Sequence, residues 1–200
     1  MLDLLTWRRD VSELYAAIRG LQPHDAHAVW REGRDRLFAT SPQSPLPAGD
    51  PRRTEGLPVA PYDPAWRVVV PLEPAAPAQR TAPAGIDGEV VLDRIGVLRT
   101  PWGALDAWWL QGYAGGLFVP LRDASSGSSS YGGGRYLLDT VKGADLGSGP
   151  DGVVVDLNFL YHPSCAYSPA WTCPLAAPGN TLNLSVPVGE RLPVSNSSPR

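Results

Sequence analysis

The sequence predicts an α+β fold that is mainly β: an antiparallel β-barrel or roll preceded by an N-terminal helical pair and a proline-rich wrapping segment. Three observations carry that prediction. Apolar residues recur at steps of three and four through residues 4–38, the spacing of a helix face. Eleven of the 22 prolines then crowd into residues 41–84. From residue 88 onward, short β-branched and aromatic runs alternate with glycine- or proline-containing turns.

Each element follows in order. In residues 4–19, Trp7, Val11, Leu14, Tyr15 and Ile18 share a face, and Gly20 supplies a stop. A second helix starts at Pro23, which is tolerated in a first turn, and turns Ala26, Val29, Trp30, Leu37 and Phe38 inward. The short connection at residues 20–22 makes residues 1–40 an antiparallel pair. In residues 41–84 proline fixes φ and removes a donor, so the chain should be extended, with one short strand at residues 67–70. Leu57, Val59, Tyr62 and Trp66 are too apolar for a free linker and imply a wrap over the domain. Residues 85–200 hold the strands EVVLDRIGVLR, LDAWWLQGY, GLFVPLRD, RYLLDTV and VVVDLNFL. No helical pattern of ten or more residues separates them, so parallel crossovers have no room and an antiparallel sheet follows. Trp108 and Trp109 are neighbours in a strand and must point to opposite faces. The three segments are expected to form one structural domain.

Composition excludes several functions. A net charge of -3 gives no basic footprint for nucleic acid. No apolar run approaches the ~18–20 residues of a membrane span, and the start MLDLLTWRRD does not resemble an export signal. A cytoplasmic protein with neither nucleic-acid nor membrane partners is expected. Lys142 is the only lysine among many arginines, the codon pattern of a GC-rich bacterial genome.

Motifs with well-known chemistry are largely excluded. GSGPDG at residues 147–152 has dinucleotide-loop spacing but precedes a strand and contains Pro150, so it reads as a turn. Residues 127–132 have the outer glycines of a phosphate loop, but Gly133 stands where lysine is needed. His24 and His27 read as surface residues of the second helix. The two cysteines and His162 make too few ligands for a metal, and none is expected. Cys165 and Cys173 can form a disulfide only if the chain reverses between them, which Ser168 and Pro169 allow; buried structural thiols and a metal or redox role are the other readings.

Two stretches suggest a site. Tyr131, Gly132, Gly133, Gly134 and Arg135 combine free backbone amides with a five-donor guanidinium, suited to a small anion. Arg135 could instead pair with Asp123 or Asp139. In VVVDLNFL a period of two puts Asp156 and Asn158 on one face, and a buried Asp156 needs a partner, for which Arg135 is the candidate.

The ordered set YGGGRYL (131–137), VDLNFLYHPSCAY (155–167), CPLAAPGN (173–180) and VGE (188–190) resembles a bacterial family, domain of unknown function 1684. The family pattern carries Asn where His162 stands, which argues against a metal role for His162. The resemblance adds Tyr161, Asn180 and Glu190 to the candidate residues and supplies no reaction. The combined reading is a protein that binds or acts on a small, anionic molecule. Its anion receptors would be Arg135 and the glycine amides, Asn158, Tyr161 and Asn180 would add contacts, and Asp156 or Glu190 would be general acid or base. A flavin-binding barrel and a non-enzymatic interaction or structural protein are the alternatives. Whether it is an enzyme, its cofactor, substrate and oligomeric state are not specified by these patterns.

Overall fold

The computed structural model describes residues 1–85, 88–113 and 115–193. Helices α1 (Leu2–Ile18) and α2 (Pro23–Thr40) form the N-terminal pair, with Pro23 in the first turn of α2. They approach closely because Gly33 has no side chain: a Cβ there would lie 2.5 Å from Leu14 Cδ1. Across the same contact the Trp30 indole N–H donates to the Tyr15 hydroxyl at 3.0 Å. The buried stripe of α2 is Ala26, His27, Trp30, Gly33, Arg34, Leu37 and Phe38, while Val29 is exposed. Two expectations are thereby corrected, for Val29 and for His27. Trp30 sets the centre of the stripe, and the 100° step carries residues 27 and 34 inward with it. His27 packs on Trp30, Tyr62 and Phe159, and burial lowers its pKa to about 4.

The proline-rich segment holds a one-turn helix, α3 (Arg52–Glu55), and three strands where one was expected: β1 (Arg67–Val70), β2 (Leu72–Glu73) and β3 (Gln79–Pro83). Proline's missing donor is harmless at strand ends, and Pro71 and Pro83 sit there. The remaining strands are β4 (Glu89–Thr100), β5 (Gly103–Leu110), β6 (Gly116–Leu121), β7 (Arg135–Asp139), β8 (Ser148–Gly149) and β9 (Gly152–Asp156). All pairings are antiparallel.

These strands make two open sheets, ordered β1-β9-β8 and β2-β4-β5-β6-β7, with β3 also on β4. The antiparallel sheets behind two helices are as expected; among the described residues they do not close into a barrel. The GSGPDG segment is the turn of the β8–β9 hairpin, pairing Ser148 with Val153 and Gly149 with Gly152. Alternation along β5 and β6 divides the larger sheet's faces. Leu105, Ala107, Val119 and Leu121 join the main core with the helices, whereas Trp108, Phe118, Tyr136, Leu92 and Ala82 make a smaller cluster. Trp109 is 40% exposed.

Among the described residues, no helix is long and apolar enough to cross a membrane.

Candidate functional site

The segment expected as one strand over residues 153–160 is in fact interrupted. β9 ends at Asp156, whose Oδ1 accepts from the Asn158 backbone N–H (3.1 Å) and side-chain amide (2.8 Å), drawing residues 157–159 into a 3₁₀ turn. This short-range capping competes with strand continuation, as Asp and Asn commonly do. Asp156 and Asn158 are therefore not a strand-face pair. Asn158 instead clasps the wrap, accepting from Asp63 N–H (2.8 Å) and donating to Asp63 C=O (2.9 Å). Asp156 pairs with Arg67 at 3.6 Å, not with Arg135. Burial raises the Asp156 carboxyl to about 6, against the opposing hydrogen bonds from Asn158.

Beyond that turn the chain comes alongside β7, Tyr136 and Tyr161 exchanging backbone hydrogen bonds of 2.8 and 3.1 Å. Glu190 is brought to the same place by its own N–H, which donates to Leu160 C=O at 2.8 Å. Its carboxylate is 1% exposed and nearly saturated. Oε2 accepts from Arg34 at 2.8 Å and from the His162 backbone N–H at 3.0 Å, while Oε1 accepts from the Tyr167 hydroxyl. The His162 ring completes the cluster: Nε2 faces the Tyr131 N–H at 3.1 Å and Nδ1 lies 3.5 Å from Glu190 Oε1. Burial alone would raise the Glu190 carboxyl. His162, Arg34 and the donated hydrogen bonds outweigh it and hold the group at about 2. A carboxylate so held orients its neighbours; it is a poor proton acceptor at neutral pH.

Arg34 is caged by aromatic rings, its guanidinium carbon 5.0–5.1 Å from the ring centres of Trp30, Phe38 and Tyr161. Beside this cluster lies a cavity of about 100 Å³ between the helical pair, β7 and the 161–173 segment. Trp7, Tyr15, Phe38, Tyr136, Tyr161 and Tyr167 supply its aromatic wall; Arg34, Asp139, Lys142 and His162 are its charged and imidazole side chains. Two of those side chains each keep a buried polar atom without a partner, Asp139 Oδ1 and Arg34 Nε. Lys142 reaches only the other Asp139 oxygen, at 3.5 Å. Buried polar atoms are seldom left unpaired; among the described residues His27 Nε2, Arg80 Nε and Arg135 Nε share this state away from the pocket.

The remaining sequence candidates lie around this pocket without joining it. Arg135 is 1% exposed and engaged with Asp123 Oδ2 (2.7 Å) and the carbonyls of Val186 (3.1 Å), Val188 (2.6 Å) and Glu190 (3.2 Å). It fastens the segment that delivers Glu190. Gly134 has φ +90°, and a Cβ there would lie 2.4 Å from Leu121 C=O, so glycine is required for close packing on β6. Gly132 and Gly133 belong to the same turn, closed by the Gly134 N–H donating to Tyr131 C=O. Asn180 is buried beside β5, accepting from the Trp108 indole at 2.7 Å and donating to Asp106 C=O at 2.8 Å. Asp156 borders a smaller cavity of about 60 Å³ with Arg19 and Arg67. Of the candidates singled out in sequence, Tyr161 and Glu190 meet at the main cluster, Tyr131 joins it through its backbone N–H to His162, and Cys173 lines the pocket. Arg34, Asp139, His162 and Tyr167 went unassigned as ligand-binding groups. For Arg34 a signal existed: an arginine four residues from both Trp30 and Phe38 on an apolar stripe.

A family described as "Protein of unknown function (DUF1684)" matches residues 52–191. The chain belongs to that family. The DUF1684 match includes Asp139, Tyr161, His162, Tyr167 and Glu190, while Arg34 and both long helices precede it. An uncharacterized protein of Haloarcula marismortui, solved by solution NMR, is 29% identical with a TM-score of 0.59. The alignment covers 82% of this chain and 91% of that one. No curated protein matches the chain.

Proposed function

We propose that this DUF1684 protein binds a small, largely apolar molecule in the pocket between the helical pair and β7. The supporting observation is the juxtaposition of an aromatic wall with two unpartnered buried polar atoms, Asp139 Oδ1 and Arg34 Nε. Asp139 Oδ1 accepts from a donor on the ligand and Arg34 Nε–H donates to an acceptor, while the rings cover its apolar body. An anionic ligand held by Arg135 was the expectation from the glycine-rich turn. The geometry favours a ligand of little net charge, because Arg34 is already neutralised by Glu190 and Lys142 faces Asp139.

Saturation-transfer NMR with small phenols, indoles and benzamides tests the proposal. Binding to the wild type and its loss in Val11→Trp, which fills the pocket from the half-buried α1 face, is the expected result. Equal binding to a folded Val11→Trp variant, or no binding by any of these compounds, overturns it.

A further inference from the structure

The chain between the two cysteines reverses through consecutive turns. Ala166 and Tyr167 N–H donate to the carbonyls of Pro163 and Ser164, and Trp171 N–H donates to Ser168 C=O across Ser168 and Pro169. This brings Cys165 and Cys173 near enough for each thiol to shift the other's acidity, with Tyr131 acting on Cys165 as well. Both are free thiols, each half-buried, and Cys173 belongs to the wall of the pocket. Two half-buried thiols at the ends of one short reversed loop have the arrangement of a resolving pair.

We propose that Cys165 and Cys173 are a redox-active dithiol that closes to a disulfide by exchange with a small-molecule disulfide. Cys173, which shares the pocket wall with Lys142 while Cys165 does not reach it, is the attacking sulfur. The hydrogen bond from Cys165 works against burial and lowers the Cys173 thiol, Lys142 adding to it, while the same contact raises Cys165. In the first step the Cys173 thiolate attacks one sulfur of glutathione disulfide, forming a mixed disulfide and expelling one glutathione thiolate, which takes up a proton. Cys165 then loses its proton to solvent and attacks Cys173 Sγ. The protein S–S bond forms, the mixed disulfide breaks and the second glutathione leaves as its thiol. Two protein thiols are oxidised and one glutathione disulfide is reduced to two glutathiones. Because Tyr167 rides on the loop between the cysteines, closure also alters the pocket wall; that coupling rests on the ligand-binding proposal, whereas disulfide formation does not.

The full chain, folded and reduced, is incubated with glutathione disulfide, quenched by alkylation and read by intact mass and peptide mapping. The expected product has lost two hydrogens, takes up no alkylating agent and maps to a Cys165–Cys173 peptide. Cys165→Ser, which keeps a hydrogen-bond donor beside Cys173, accumulates a lasting glutathione adduct on Cys173. At pH 7 that adduct forms about tenfold faster than the one on Cys165 in Cys173→Ser. A wild-type protein that stays folded and fully alkylatable overturns the proposal, as does one that accumulates the glutathione adduct without closing. Equal adduct rates in the two serine variants overturn the assignment of Cys173 as the attacking thiol.

Discussion

Replacing Glu190 by Gln keeps its shape and removes the charge that compensates a buried arginine. In the folded protein the Glu190 carboxyl sits at about 2, against an ordinary value of 4.5. At about 1.4 kcal/mol for each pH unit, that depression corresponds to about 3 kcal/mol of stability. It is fully present above pH 4.5 and lost as pH falls toward 2, because the unfolded chain takes up its proton first. Direct mutation leads to a similar figure. Stranding one member of a buried ion pair costs about 3–5 kcal/mol, and Gln also turns an amide toward the donors of Arg34 or His162. Urea unfolding at pH 7 should therefore show Glu190→Gln about 3–5 kcal/mol less stable, and its stability should change less than the parent's on acidification. The double variant Arg34→Met/Glu190→Gln should recover at least about 1 kcal/mol relative to the sum of the single changes. A Gln variant within about 1 kcal/mol of the parent at pH 7, with the parent's acid dependence intact, would refute the reasoning.

Asp156 has the opposite sign. Its carboxyl is at about 6 in the folded protein and 3.8 ordinarily, so the folded state binds the extra proton and stability falls as pH rises through this interval. Asp156→Asn, whose Oδ1 can still accept from Asn158, should abolish that fall in urea midpoints between pH 4 and pH 7; an undiminished fall would mean another group is responsible. Asn158→Ala strands the Asp63 N–H and C=O at roughly 1–3 kcal/mol each. A loss of about 3 kcal/mol in denaturant unfolding is expected, and one below about 0.5 kcal/mol would show that water replaces the clasp.

The sequence was most legible where one short-range rule dominated. The period of α1, the proline at the start of α2 and the glycine turns between strands each specify their element without outside help. The strand reading failed at Asp156 because two principles competed there: the apolar alternation of VVVDLNFL continues, but an Asx cap intervenes and the local hydrogen bonds prevail. Site residues were legible to the extent that their partners were close in sequence or named in advance. Pairing of Arg135 with Asp123 was one of the alternatives readable from the turn. Arg34 carried a local signal in its place between Trp30 and Phe38, but its partner lies 156 residues away and nothing local to α2 points to Glu190. The open sheets were hidden for a similar reason: whether β7 and β2 meet is a property of long-range closure, and no strand carries that information alone.

The length of the Arg34–Glu190 connection has a kinetic side. During synthesis the helical pair can form as soon as residues 1–40 emerge, since its packing is local. The guanidinium of Arg34 must then wait through 156 further positions for its carboxylate, at a ribosomal pace of about 5–20 residues per second. For about 8 to 30 seconds the nascent protein holds a cation on an apolar helix face with only its aromatic neighbours and water around it. Burying that helix face before Glu190 arrives would bury an unpaired charge, so the contact beside the pocket favours late closure of the helices on the sheet.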